Sequence, residues 1–256
     1  MTGNKALPLV TIITPAYNCQ NYIEETMKSV IGQTYENWEY LIIDDCSTDE
    51  TRQRILLYAQ MDLRIKPIFL DSNGGVAQAR NTGILMAQGK YIAFLDSDDL
   101  WKRDKLTRQI GFMEQNHYHF TYSDYDTIDG QGNYIKSIRP KKSRIDYKAL
   151  LYSNQIACLT VIIDSSILKQ ELMPEIGHED FATWLNILKK QVDFAYKYDG
   201  ILASYRKLKG SLSANKLRAL TWTWHIYRSN QSMGIFDSFG HIMGFIGAAF
   251  LKYTRR

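Results

Sequence analysis

The chain has 256 residues, 45% of them hydrophobic and 23% charged, which is enough apolar material for a sizeable core and excludes a disordered polymer. Its 31 basic and 27 acidic side chains leave a formal charge of +4, an excess too small to mark a nucleic-acid binder. Cys19, Cys46 and Cys158 are odd in number and form no CxxC pair, which argues against a disulfide framework or a thiolate zinc site and predicts a reducing compartment. Met1 to Pro8 holds no apolar run of signal-peptide length, so the expected location is the cytoplasm.

From Leu9 to Phe94 an apolar, β-rich run, a loop with Asp, Asn or Gly, and a helix-period segment follow one another three times. Strands are predicted near 9–14, 39–43, 66–70 and 91–95, with helices near 21–32, 49–60 and 76–88, the alternation of a parallel α/β sheet. Thr48, before Asp49-Glu50-Thr51, reads as a helix start with an acidic first turn, and Gly74-Gly75 as the start of the next helix. Two strands end in acid: Asp44-Asp45 after Tyr40-Leu41-Ile42-Ile43, and Asp96-Ser97-Asp98-Asp99 after Tyr91-Ile92-Ala93-Phe94-Leu95. Carboxylates so crowded repel one another unless a cation or hydrogen-bond donors compensate, and two acidic ends on one parallel sheet face the same crevice. A divalent metal holding a phosphate fits there; the ordinary alternative is that Asp98 or Asp99 caps a helix starting near Trp101.

After Asp99 the alternation stops. A helix near 102–116, a strand near 119–123 and a hairpin turning at Gly130-Gln131-Gly132-Asn133 are predicted, then a short helix and an apolar strand at 157–163. The Gly177-His178-Glu179-Asp180 loop, a helix near 181–191 and strands near 193–197 and 200–205 follow. No linker or repeat separates the parts, so residues 1–125 and 126–215 read as two halves of one cooperative unit, with 216–256 as a helical tail. The tail is aromatic (Trp222, Trp224, Tyr227, Phe236, Phe239, Phe245, Phe250) and ends Lys252-Tyr253-Thr254-Arg255-Arg256. Its stretch 242–251 is too short to span a bilayer, which leaves a helix in the membrane interface, or one packed on the core or on a twin subunit. His117-Tyr118-His119 has strand spacing without a third ligand and is assigned no role.

Four blocks carry a resemblance: Val10-Thr11-Ile12-Ile13-Thr14-Pro15-Ala16-Tyr17-Asn18, Ile43-Asp44-Asp45-Cys46-Ser47-Thr48-Asp49, Ala79-Arg80-Asn81-Thr82-Gly83 and Phe94-Leu95-Asp96-Ser97-Asp98-Asp99. In this order and register they resemble family 2 glycosyltransferases, inverting enzymes of the GT-A fold, within which the chain looks most like bacterial enzymes building teichuronic acid, capsule or O-antigen. The resemblance implies a Rossmann-like mixed α/β sheet flanked by helices. It also implies a UDP-sugar donor, Mn2+ or Mg2+, and a lipid-linked or oligosaccharide acceptor. With a lipid-linked acceptor, peripheral contact with the inner face of the cytoplasmic membrane gives the tail a purpose.

By motif, Thr14, Pro15 and Tyr17 are expected to line the nucleoside pocket. Neighbouring residues of an extended chain point apart, so one of Asp44 and Asp45 is expected to meet the base or ribose while the other supports a loop. Arg80 is expected to steady these carboxylates or the diphosphate. Asp96 and Asp98, two apart, share a face: with Ser97 they are placed at the donor, one on ribose or sugar and the other on the metal, Asp99 binding it through water or capping a helix. The resemblance makes Asp180 the general base, with Glu179 as fallback and His178 third. In Tyr205-Arg206-Lys207-Leu208-Lys209-Gly210-Ser211-Leu212-Ser213, the residues Arg206, Lys209 and Ser213 are expected to reach the diphosphate. The alternatives are a sugar nucleotidyltransferase, which would show a Gly-rich basic loop absent from Thr14 to Asn21, and a catalytically silent nucleotide-sugar-binding or assembly subunit.

Overall fold

The computed structural model describes residues 6–208 and 216–254. Strands β1 (Val10–Ala16), β2 (Trp38–Asp44), β3 (Ile65–Phe69) and β4 (Tyr91–Phe94) run parallel, joined by α1 (Ile23–Ile31), α2 (Thr51–Met61) and α3 (Gly75–Met86). Side-chain alternation sorts the layers. Val10, Ile12, Tyr40, Ile42 and Ala93 join one core with α1 and α2, while Ile13, Leu41, Ile43, Ile92 and Phe94 join the other with α3. Gly83 lets α3 lie close on the strands: a Cβ there would come within 2.7 Å of Ile13 Cγ2 and 3.0 Å of Ile43 Cδ1. Arg80, one turn earlier, is thereby held over the strand ends.

The second half adds β5 (Leu100–Trp101), α4 (Lys105–Asn116), β6 (Phe120–Ile128), β7 (Tyr134–Ile138), β8 (Arg144–Ile145), α5 (Tyr147–Tyr152), β9 (Ile162–Asp164), α6 (Ser165–Leu168), α7 (Glu179–Lys190) and β10 (Ala195–Arg206). The sheet order is β3-β2-β1-β4-β9-β6-β10-β5, with β7 on β6 and β8 on β10, so one sheet crosses the expected division at residue 125, which falls inside β6. Because β9 is antiparallel to both β4 and β6, and β10 is parallel to β6, the C-terminal ends of β1, β2, β4, β6 and β10 open on the same edge.

Several predicted elements are displaced for local reasons. The expected pair of strands at 193–197 and 200–205 is the single strand β10, whose register shifts against β6 between Tyr198 and Ile201 absorb Asp199 and Gly200. The apolar run 157–163 divides into a 3-10 turn, Cys158–Thr160, and β9, because buried Lys105 and Gln109 of α4 both donate to the Thr160 carbonyl. The second helix starts at Thr51 rather than Thr48: Asp49 accepts the Thr51 N–H at 2.9 Å, while Thr48 donates to Asn18. The hairpin turn at 130–133 is present, wrapped on Asp129, whose carboxylate accepts the Gln131 and Asn133 N–H groups.

The tail is helical, with α8 (Lys216–His225), a π-turn at Ile226–Asn230 and α9 (Ile235–Thr254), and its aromatic residues serve two purposes. Ile226 and Tyr227 are fully buried, and Tyr227 donates its hydroxyl to the Leu151 carbonyl beneath α7. Trp222 lies on the Gly177-His178 turn, its ring centroid 5.2 Å from that of His178. Ile235, Phe236, Phe239 and Met243 instead point outward. No helix among the described residues is long and apolar enough to cross a membrane.

Candidate active site

The acidic turn after β4 lies between α1 and the end of β10. Thr26 of α1 donates its hydroxyl toward the carbonyls of Ser97, at 3.0 Å, and Asp99, at 2.9 Å. Neither Asp98 nor Asp99 caps a helix near Trp101, since residues 100–101 form β5 and α4 starts at Lys105. Asp99 is fully buried and accepts the Arg206 N–H at 2.7 Å, and burial, with the charges of Asp98 and Asp96, raises its carboxyl well above the usual range. Asp98 stays partly exposed, and burial together with the Asp96 charge pushes it up to about 6.

Asp96 belongs to a different cluster. Arg80, 4% exposed, donates one terminal nitrogen to Asp96 at 2.5 Å and the other to Glu179. Glu179 and Asp180 open α7, next to His178, whose backbone is left-handed at φ 59°. Asp180 accepts the Phe181 N–H at 2.7 Å, and burial and the charge of Glu179 push it up to about 7 against the opposing pull of Arg80. Burial pushes His178 below its ordinary range and Cys158, beside this group, far above its own, so the thiol is inert at neutral pH. Arg80 thus ties together carboxylates 83 positions apart in sequence, Asp96 and Glu179, with the charge of Asp180 close by.

The structure separates Asp44 from Asp45. Asp45 accepts the Gly74 and Gly75 N–H groups, each at 2.8 Å, which fixes the loop leading into α3 and leaves a lone pair on each oxygen. Asp44 has no exposed surface and is strapped by Arg52 at 3.0 Å. Tyr17, 51% exposed at the rim, is free to meet a planar ligand. Pro15 lies beyond the last β1–β4 pair, Ile13–Phe94, so its missing N–H takes nothing from that ladder.

Three expectations are corrected. Arg80 does not steady Asp44 or Asp45: it reaches Asp96 and Glu179, while Arg52 pairs with Asp44 and the Gly74 and Gly75 N–H groups hold Asp45. Thr14 does not line a pocket: it is fully buried, donates to the Leu95 carbonyl at 2.6 Å and shares a 2.8 Å hydrogen bond with the Tyr40 hydroxyl, so it stitches β1 to its neighbours. Arg206 is not a mobile diphosphate ligand. At 1% exposure it donates to the Asp98 carbonyl at 2.8 Å, the Gly130 carbonyl at 3.3 Å and Glu25 at 2.6 Å, with its guanidinium 4.9 Å from the Tyr22 ring centre. Lys209 and Ser213 lie outside the described residues.

No three acidic, histidine or cysteine side chains among the described residues converge to hold a metal by themselves. Asp96, Asp98 and Asp99 therefore do not form a three-carboxylate set, since Asp99 is tied to Arg206 and Asp96 to Arg80. A cation here would take Asp98 and draw its other ligands from a bound phosphate, and the crowding that raises Asp98 is the repulsion such a cation relieves. His119 lies away from these ends, 3.4 Å from Asp164.

Thr26, Glu25 and Trp222 were not legible as site residues. A lone Thr or Glu on an amphipathic helix carries no signal of its partner. Gly177 could have flagged a close contact, and a Cβ there would meet the Trp222 ring at 2.0 Å.

Residues 11–177 match the family model described as glycosyl transferase family 2. Over 222 residues, 86% of this chain and 88% of the relative, the sequence is 43% identical to the putative teichuronic acid biosynthesis glycosyltransferase TuaG of Bacillus subtilis. It is 40% identical over 218 residues, 85% of each chain, to the Escherichia coli UDP-Glc:alpha-D-GlcNAc-diphosphoundecaprenol beta-1,3-glucosyltransferase WfgD. Among solved structures, S. aureus TarS in complex with UDP-GlcNAc superposes with a TM-score of 0.72 at 21% identity, covering 93% of this chain and 71% of TarS. The mannosyltransferase PcManGT from Pyrobaculum calidifontis, in complex with GDP-Man and Mn2+, gives 0.70 at 18% identity, covering 96% and 74%.

Proposed function

The chain belongs to glycosyl transferase family 2 and is a glycosyltransferase, and on that premise we propose that it moves a sugar from a UDP-sugar to a hydroxyl of a lipid-linked glycan. The place is the inner face of the cytoplasmic membrane, in bacterial surface-polysaccharide assembly. The observation that carries this reading is the Arg80 bridge, which brings the acidic turn after β4, suited to a diphosphate, against Asp180, suited to a base. The relatives support the donor and the acceptor: WfgD is named for UDP-Glc and for a diphosphoundecaprenol-linked sugar.

In this reading Tyr17 stacks on the uracil, and Asp45, oriented by two backbone N–H groups, accepts the uracil N3–H. Asp96 faces the ribose or sugar, and Asp98 is the residue that would hold a divalent cation beside the diphosphate. A bound Mn2+ or Mg2+ supplies neutralisation of the charge that grows on the departing UDP. Asp180 takes the proton of the acceptor hydroxyl, which attacks the anomeric carbon opposite the leaving UDP and inverts it, without a covalent enzyme intermediate. Glu179 is committed to Arg80, which leaves Asp180 the better base. Arg206 and Thr26 hold the acidic turn in place.

Calorimetric titration of UDP, with GDP and CMP as controls and with or without Mn2+, tests the donor site. UDP-selective, Mn2+-dependent binding is expected; absence of nucleotide binding would move the silent-subunit reading to the front.

A further inference from the structure

Helix α9 has two different faces. Ser238 is buried, Ile242 packs on the core, and the His241 ring lies 4.6 Å from that of Tyr152 and 6.0 Å from that of Tyr227. On the other side Ile235, Phe236, Phe239 and Met243 are 60%, 90%, 58% and 52% exposed. At helical spacing these four occupy an arc of about 100°. Exposed apolar residues scattered singly are ordinary, but four on one arc of a helix form a surface with a partner.

Charge identifies the partner. From Lys216 onward the sequence holds six basic side chains and one acid, whereas residues 1–215 hold 25 basic and 26 acidic, so the positive charge of the protein resides in the tail. The single acid, Asp237, occupies the first turn of α9, where the helix dipole accepts it. In sequence the apolar spacing continues through Ile246 and Phe250 and closes with Lys252, Arg255 and Arg256. A second copy of the chain would set two such cationic tails against each other; an anionic lipid surface complements them.

We propose that the outward face of α9 docks on an anionic bilayer, lying in the interface plane with Phe236 and Phe239 as its deepest side chains. The purpose of this dock rests on the lipid-linked acceptor proposed above. Tyr227 and Trp222 join the tail to α7 and to the turn before Glu179 and Asp180, so a docked α9 fixes the orientation of the catalytic side toward the membrane.

The test is flotation of the full chain with vesicles of phosphatidylcholine alone or with phosphatidylglycerol, alongside sedimentation and the UDP titration. The full chain is expected to float with phosphatidylglycerol vesicles, less so at high salt, and F236D/F239D to lower partitioning on the order of tenfold or more with UDP affinity unchanged. No flotation with anionic vesicles, or equal flotation of F236D/F239D, overturns the proposal. So does a dimer that the double substitution dissolves without vesicle binding in either protein, which would assign the face to a second copy. Vesicle binding together with absent UDP binding supports the dock and strikes the donor-site reading instead.

Discussion

Arg80 donates to Asp96 at 2.5 Å while its other terminal nitrogen holds Glu179, so a single guanidinium joins the turn after β4 to the first turn of α7, which also carries Asp180, the proposed base. A planar fork gives each acid its own terminal nitrogen, whereas an ammonium is a single point that must lie within reach of both. Arg80→Lys should therefore lower kcat/KM about a hundredfold while the protein still folds, measured as transfer against thermal melting. Arg80→Gln also removes a positive charge that holds the Asp180 carboxyl down, so the acid limb of its pH profile should move to higher pH. A profile that stays in place would detach Arg80 from the base.

Asp180 must be deprotonated to accept a proton, and burial and Glu179 hold it up to about 7. Activity should accordingly rise with pH through the neutral range and level off above it, as the carboxylate form comes to dominate. Asp180→Asn should abolish that limb and cost about 10²–10⁴ in kcat, with UDP affinity unchanged. Full transfer by the Asn variant would sink the assignment.

Arg206 gives a contrasting expectation, because its partners are Asp98, Gly130 and Glu25 and its own N–H serves Asp99. Arg206→Met should destabilise the fold by about 1–3 kcal/mol in urea titration, the cost of leaving the Asp98 and Gly130 carbonyls without their donor, while the ratio of UDP to uridine affinity is retained. A selective loss of UDP over uridine at unchanged stability would restore it as a diphosphate ligand.

The first hundred residues were legible because period-2 and period-3.6 patterns alternate there without interference, and because the acids end strands whose direction the βα repeat dictates. The partners of those acids were not. Thr14 and Arg206 sit in motif positions beside the crevice, yet each turns inward, Thr14 to Leu95 and Arg206 to Asp98, for reasons of packing between elements far apart in sequence. For Asp44 and Asp45, alternation foretold that they diverge, while only the structure reveals where each goes, Asp44 to Arg52 and Asp45 to the Gly74-Gly75 loop. The second lobe was read least well, since β10 hides a bulge that the pattern breaks into two strands.

The contact of Gly177 with Trp222 offers a coupled pair by which to test whether the tail bears on the turn before Asp180, the proposed base. Because a Cβ at 177 would meet the indole at 2.0 Å, Gly177→Ala must displace either the α8 helix or the turn that carries His178 into Glu179 and Asp180. Overpacking of this kind costs about 1–3 kcal/mol. Trp222→Ala removes the obstacle but leaves His178, at φ 59°, without the ring that braces it, so kcat should fall in that variant with KM for the donor unchanged. The double variant G177A/W222A should then be more stable than the sum of the single changes predicts, by about 1–2 kcal/mol in a denaturation cycle. Strict additivity would mean that the tail and the catalytic turn do not bear on each other, and that the catalytic effect of Trp222 must be sought elsewhere.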